Sequence, residues 1–342
     1  MRIDLFHIDE AFRDYITNRL LSRLGLTIGD CTMEVPLSGK KSCIRLVKHR
    51  EGKGYAVRAF PKQRTREAFY LYSADDLLDR NKIPAPRLVD YAENYSTQGV
   101  TFVAEEYLEG KNWGDLEVTE DLARRLGSLL SRLHSVASDQ WGPITPEESS
   151  RGTFGASQFR RVKHRLYRVK KFAPDTLSAS EFRAVREWFR ALMPSLDGIR
   201  SFQLIHDKIN RGNVYCHPGK NELFFLDFAT LQYGCRGKDL AQAECDLLEN
   251  KKDLIKIFME EYFSHFSRET REQYERLATF YHAYYHLSRS AVNLRRDHVN
   301  RTQRHIFKSN HYDQFLTHWR TLWTFIEGVS DATPVQAHGS TP

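Results

Sequence analysis

The segment Leu204-Ile205-His206-Asp207-Lys208-Ile209-Asn210-Arg211-Gly212-Asn213-Val214-Tyr215, followed by Leu226-Asp227-Phe228, constrains this chain more than any other. An apolar run leads into a polar loop, and a second apolar run ends in a carboxylate. Short apolar runs bounded by polar turn residues read as buried strands. On that reading Asn213 and Asp227 stand at the mouth of a hairpin as two oxygen donors. Magnesium favours such a site, with few protein ligands, all of them oxygen, and the remainder from phosphate and water. A turn residue is the plainer reading of Asp227 alone; its coupling to Asn213 favours the metal role.

The rest of the chain must house this loop. With 342 residues there is room for one two-lobed domain or two ordinary ones. At 41% apolar and 12% aromatic residues it can bury a sizeable core. The segment 331–342 is small and polar and reads as a disordered tail. No run approaches the roughly 20 apolar residues of a membrane span. The first residues hold no apolar signal core, so the expected location is cytoplasmic. Five scattered cysteines without a C-x-x-C pair read as reduced thiols. The excess of 51 basic over 44 acidic residues, net +7, suits an anionic ligand, phosphate and nucleic acid alike.

Periodicity gives the plan. Phe12, Ile16, Leu20 and Leu24 make one stripe of a helix over about 9–24. Ser42–His49 and Tyr55–Phe60 read as strands joined by Glu51-Gly52-Lys53-Gly54, a hairpin signal. A helix follows over about 65–80, with Glu67, Leu71, Ala74 and Leu78 on one inward face. Thr101–Tyr107 reads as a further strand, and 203–205 and 223–228 as two short ones. After Gly110 helices dominate, and Thr119 caps the first of them. This is an α+β plan with two lobes, its cleft the default ligand site. The expected division is a β-rich N-lobe over 1–107 and a larger, mostly helical C-lobe over 108–330.

In these residues the chain resembles the aminoglycoside phosphotransferase and choline kinase superfamily, a branch of the protein-kinase-like fold. The loop of that family reads roughly H-G-D-x-x-x-x-N, then a strand, then I-D-F/W/L. PLSGKKSCIRLV is similar to its nucleotide loop and YAVRAFP to its third strand. REAFYLYSADDLLDRNKIPAPRLVDY resembles its glutamate-bearing helix and proline-rich return, VAEEYLEG its hinge, and Lys238-Asp239-Leu240-Ala241 its D-L-A signature. The resemblance covers most of the chain and rests on order and spacing, since each piece alone is weak. It implies ATP and Mg2+ as cofactors. Arg58 would contact the α- and β-phosphates and Glu67 would pair with it. Ser38, Gly39 and Lys40 would cover the phosphates, and the backbone of Glu106 to Leu108 would bind adenine. Asn213 and Asp227 would hold magnesium. His206 would be a packed loop residue, and Asp239 would tie down the catalytic loop.

One departure bears on activity. Five residues before Asn213, where the family places its catalytic aspartate, stands Lys208; Asp207 is six before it. Either the loop shifts by one residue and Asp207 reaches the acceptor hydroxyl, or Lys208 fills the slot. An ammonium with a pKa of about 10.4 is no base at neutral pH. Phosphoryl transfer nevertheless relies mostly on positioning and charge neutralisation, which a lysine also supplies. The expected function is therefore an ATP-dependent phosphotransferase acting on a hydroxyl of a small molecule or glycan. The alternative is a nucleotide-binding pseudokinase or scaffold.

Two basic stretches remain. Arg160 to Lys171 reads as an amphipathic helix striped by Phe159, Val162, Leu166 and Val169, and Arg295, Arg296, Arg301, Arg304 and Lys308 form the second. Each is a solvated face, a capture surface for an anionic acceptor, or a peripheral membrane contact. They favour a neutral or anionic acceptor. None of the standard nucleic-acid-binding signatures is present, so nucleic acid is not an expected partner.

Overall fold

A computed structural model describes residues 5–35, 43–95, 99–145, 152–217, 222–302 and 310–328. They form two compact units. The first takes the described residues of Met1–Ser149, Gln203–Gly234 and Gln242–His265, and the second those of Ser150–Phe202, Cys235–Ala241 and Phe266–Pro342. The expected lobe boundary at 107/108 lies within the first unit.

In chain order the elements begin with α1 (Leu5–Asp14), a π-helical stretch (Tyr15–Leu21) and α2 (Ser22–Leu24). Then come β1 (Cys31–Glu34), β2 (Cys43–His49), β3 (Gly54–Phe60), α3 (Thr65–Arg80), β4 (Leu88–Ala92), β5 (Thr101–Glu106), β6 (Lys111–Asn112) and α4 (Glu120–His134). Strands β7 (Ala137–Ser138) and β8 (Gly142–Pro143) precede three helices, α5 (Phe154–Phe172), α6 (Ala179–Ala191) and α7 (Met193–Asp197). The site-bearing strands follow: β9 (Phe202–Ile205), β10 (Val214–His217), β11 (Glu222–Phe225) and β12 (Gln232–Gly234). The chain ends in α8 (Gly237–Gln242), α9 (Lys252–Ser264), α10 (Arg268–Thr302) and α11 (His311–Glu327).

The first unit is built on an antiparallel sheet of order β1-β2-β3-β5-β4. The expected hairpin joins β2 to β3, and Gly52 turns it at φ +87°, a conformation costly for any residue with a Cβ. The N-terminal helix runs as its stripe predicts, but its middle turns are wide. The i to i+5 spacing of a π-helix puts Tyr15 above Leu20 and Ile16 above Leu21, and all four are buried. They pack with Phe12, Val57 and Phe102 into one core under the sheet. Asp90 on β4 fastens this helix from inside. It is only 2% exposed and accepts from Tyr15 Oη at 2.8 Å, Arg19 Nε at 2.7 Å and Arg23 Nη1 at 2.8 Å. Burial alone would raise its carboxyl, but these hydrogen bonds and the two guanidinium charges hold it below the usual range.

Two smaller sheets hold the loop singled out above. The sequence reading places the runs 203–205 and 223–228 on either side of a polar loop. Part of that loop is itself a strand, β10, which pairs with β11 and with β6. The other expected run, β9, pairs with β12 in a separate sheet. The hairpin is therefore β10–β11, and Asn213 and Asp227 flank it. Helix α4 packs on α9 and starts at Thr119, whose hydroxyl accepts from Leu122 N–H at 3.3 Å.

In the second unit α10 packs against α5 and α11. Tyr274, Leu277, Phe280, Tyr281, Tyr284 and Tyr285 are buried along α10, so this aromatic stripe is core. None of the five cysteines is in a disulfide. No helix among the described residues is long and apolar enough to cross a membrane.

Two predictions follow from buried polar groups. Asp90→Ala leaves the Tyr15 hydroxyl buried without its acceptor and two guanidinium groups without their anion. It is expected to cost about 2–3 kcal/mol in a denaturant titration. In the second unit His286 Nδ1 meets His318 Nδ1 at 3.0 Å. Burial, then the neighbouring His318, His282 and Arg289, push His286 down to about 3; burial and Arg289 push His318 down to about 4. Unfolded histidines take up protons below about 6.5 while these stay neutral, so acid favours the unfolded state. Stability is expected to fall from about pH 6.5 toward 4, and thermal melts of His286→Gln should show a shallower fall.

Candidate active site

The site is assembled from β3, β5 and the two ends of the β10–β11 hairpin, all within the first unit. Antiparallel pairing sets Arg58 opposite Val103 and Ala56 opposite Glu105. Arg58 and Glu105 are thus diagonal neighbours on one face of the sheet, within reach of long side chains. Arg58 Nη2 lies 3.1 Å from Glu105 Oε2, and its Nη1 lies 3.7 Å from Asp227 Oδ1. The second oxygen of Asp227 accepts from Lys208 Nζ. Two carboxylates and two cations therefore form one cluster with no net charge.

Burial shapes its electrostatics. Glu105 is pushed up, first by burial, with Asp227 and Asp75 adding to the effect and Arg58 opposing it. Burial acts the same way on Asp227. There the charges of Arg58 and Lys208, with the Lys208 hydrogen bond, prevail and hold the carboxyl below the usual range. Arg58 serves both carboxylates, and Asp227 alone has a second cation.

The hairpin mouth is tightly specified. Leu226 N–H donates to Asn213 C=O at 2.9 Å, which closes the ladder beyond Val214 and Phe225. Asn213 Nδ2 donates to the Lys208 carbonyl at 2.9 Å, as does Asn210 Nδ2. With its amide nitrogen so engaged, Asn213 has its Oδ1 to offer a cation. His206 is fully buried, donates from Nε2 to Leu226 C=O at 2.9 Å, and packs on Phe225 and Phe228. This is the packing role expected of it. Gln242 Oε1 accepts from Ile209 N–H at 2.7 Å and anchors the middle of the loop.

Both aspartates of the segment have left-handed backbones, Asp207 at φ 66° and Asp227 at φ 65°. Such conformations are disfavoured for residues with a Cβ and persist only where the surroundings impose them. The Asp207 carboxylate accepts from Gln232 on β12, whose register opposite Ile205 brings its amide to the start of the loop.

Glu67 differs from expectation. The buried face of α3 is Ala68, Leu71, Ala74 and Leu78. Glu67 stands at the edge of that face and pairs with Arg64, at 2.8 Å from Nε and 2.5 Å from Nη2. Arg64 lies one turn earlier, where the three-residue spacing of a helix start brings it alongside. That bond, above all, holds Glu67 below the usual carboxylate range. The carboxylate that pairs with Arg58 is instead Glu105, next to last on β5. At the hinge, Glu106 N–H donates to Arg87 C=O at 2.8 Å and Tyr107 N–H to Gly54 C=O at 2.9 Å. Among the described residues Leu108 N–H has no backbone partner. Ser38, Gly39 and Lys40 lie outside the described residues. Asp239 is fully buried in the second unit.

Residues 44–284 match the model of the phosphotransferase enzyme family. The chain belongs to the phosphotransferase enzyme family. Its fold is the protein-kinase-like α+β fold, shared with solved small-molecule kinases. An ethanolamine kinase from Plasmodium vivax is 14% identical with a TM-score of 0.59, over 88% of this chain and 84% of that one. A choline kinase from Cryptosporidium parvum Iowa II is 11% identical with a TM-score of 0.60, over 89% and 91%. A thermostable mutant of an aminoglycoside phosphotransferase, in a ternary complex with AMP-PNP and hygromycin B, is 14% identical with a TM-score of 0.60, over 91% and 99%. No curated protein matches the sequence.

Gln242→Ala removes the side-chain anchor of Ile209 N–H. It is expected to cost about 1 kcal/mol and to raise amide exchange within the 206–213 loop, measurable by hydrogen exchange.

Proposed function

We propose that this chain binds ATP at the Arg58–Asp227–Lys208 cluster and transfers its γ-phosphate to a hydroxyl of a small molecule or glycan. The observation behind this reading is the convergence of a strand arginine, a hairpin-mouth asparagine and a left-handed aspartate in one unit. Arg58 would face the α- and β-phosphates; its Nε is buried with no hydrogen-bond partner among the described residues. Leu108 N–H would meet the base. The AMP-PNP in a structure of the same fold supports a nucleotide.

Asn213 Oδ1 and Asp227 would hold magnesium. Their chemistry fits once Lys208 leaves the Asp227 carboxylate: two hard oxygen donors at one hairpin mouth, the number magnesium takes from protein when phosphate supplies the rest. When bound, the ion neutralises charge developing on the phosphates. Asp207 would accept the hydroxyl proton, its carboxylate aimed by the Gln232 amide. Lys208 would place a positive charge at the γ-phosphate. The exposed basic residues of α5 favour a neutral or anionic acceptor over a cationic one.

A second reading has one observation in its favour. Lys208 occupies the slot five before Asn213 and is bound to Asp227, an arrangement that suits a nucleotide-binding pseudokinase.

A thermal-shift titration with ATP, beside an ADP-release assay over a panel of sugars, glycans and phosphorylated metabolites, tests both. The expected result is a rise in melting temperature with ATP and turnover with at least one acceptor. Asp207→Ala should lower kcat by about 100-fold or more and leave the ATP-induced shift unchanged. Arg58→Met should weaken the shift. A shift without turnover on any acceptor selects the pseudokinase, and no shift at all overturns the nucleotide site.

A further inference from the structure

Lys208 raises a question about the metal. Asp227 is the only carboxylate at the hairpin mouth with an expected metal role, and both of its oxygens already face cations of the chain. Arg58 is held on the other side by Glu105, so it is a fixed part of the sheet face. Lys208 is different. Its backbone carbonyl is pinned by the amides of Asn210 and Asn213, while its side chain remains 40% exposed. The anchored backbone delivers a compact point charge on a flexible stem to Asp227. Asn213, one of the two expected metal donors, is among the groups that hold Lys208 there.

The charges facing Asp227 can be enumerated. Arg58 and Lys208 touch it; His206 acts on it from the loop; Glu105 shares Arg58; Arg64 and Glu67, paired with each other, act on it from the start of α3. The sum is close to zero. A divalent ion is drawn to a hairpin mouth by uncompensated carboxylate charge, and here an ammonium already supplies the compensation. A magnesium ion reaching Asp227 meets a like charge at the oxygen it needs. A triphosphate arriving there meets two cations in place.

We propose that Lys208 is a tethered counter-cation that stands in for the divalent ion at Asp227. The chain then binds nucleoside triphosphate without magnesium, and magnesium enters only by displacing Lys208. This inference rests on the nucleotide site proposed above and concerns what neutralises the phosphates within it.

The test is equilibrium binding of ATP to the full chain, in EDTA and in magnesium, for the wild type, Lys208→Met and Lys208→Arg. The unliganded melting temperature of each variant checks that it folds. The wild type is expected to bind ATP in EDTA within about threefold of its affinity in magnesium. Lys208→Met should lose about tenfold or more in EDTA and regain it with magnesium, while Lys208→Arg should keep its binding in EDTA. A wild type that loses tenfold or so in EDTA, or a Lys208→Met that binds equally well in EDTA, overturns the inference and leaves the nucleotide site standing. Absence of ATP binding in every variant and both buffers overturns the nucleotide site itself.

Discussion

The ion pair between Asp227 and Lys208 is the interaction on which the rest of this site depends. It is made at the end of a strand, by a residue whose backbone is held at φ 65°. A left-handed aspartate costs of the order of 1 kcal/mol, and nothing local repays it. The surroundings impose it. Leu226 is hydrogen-bonded on one side to Asn213 and on the other to His206, and Phe228–Thr230 packs under α3. The carboxylate is thereby turned out of the hairpin toward Arg58 and Lys208. Strain at this point is a consequence of aiming one side chain, which is where strained backbone is most often found in working sites.

The sheet supplies the counterpart. Arg58 stands between Glu105 and Asp227, and burial acts on these two carboxyls in the same sense with opposite net results. Glu105 has one cation to share and is pushed up; Asp227 has two and is held down. Arg58 is common to both; Lys208 and His206 lower Asp227 only, while Asp227 and Asp75 raise Glu105. A polyanion entering the cluster would compete for Arg58 and Lys208 together, so its arrival necessarily changes the balance at both carboxylates. The Arg58–Asp227–Lys208 cluster and the buried strand β5 are electrostatically one object.

Much of this was legible before any coordinates. Strands β2, β3 and β5 and helices α3, α4 and α5 announce themselves because their apolar residues repeat with the period of the element and their ends bear glycine, proline or threonine. The placement of Asn213 and Asp227 beside the hairpin was legible for a similar reason, since Asn213 stands just before one apolar run and Asp227 just after another. Glu105 was not. Within Thr101-Phe102-Val103-Ala104-Glu105-Glu106 it looks like the first polar residue of a hinge, and only the register of β5 against β3 shows that it faces Arg58. Glu67 was given that role because helical periodicity places it near an inward face. Periodicity is silent about Arg64, which precedes the helix and captures the carboxylate first. Gln232 and Gln242 were invisible altogether. A glutamine that anchors a loop by one hydrogen bond has no pattern around it, and each lies 25 or more residues from its partner in the chain or in another local motif.

The same logic explains why the phosphate side of the reaction is easier to read than the acceptor side. Phosphoryl transfer from a phosphate to a hydroxyl needs a few groups at set spacing on adjoining strand ends, and such spacing survives as a local motif. Acceptor recognition needs only a surface of suitable charge, which any helix can present on the face its core packing leaves over. Helix α5 illustrates this. Val162, Leu166 and Val169 are buried and fix its orientation, while Arg160, Lys163, Lys170 and Lys171 are exposed and the helix contains no acidic residue. A cationic molecule meeting that face would be repelled and an anionic one attracted, whatever its covalent structure. Charge thus stays readable where periodicity gives no help, because the residues that carry it are those the fold does not need.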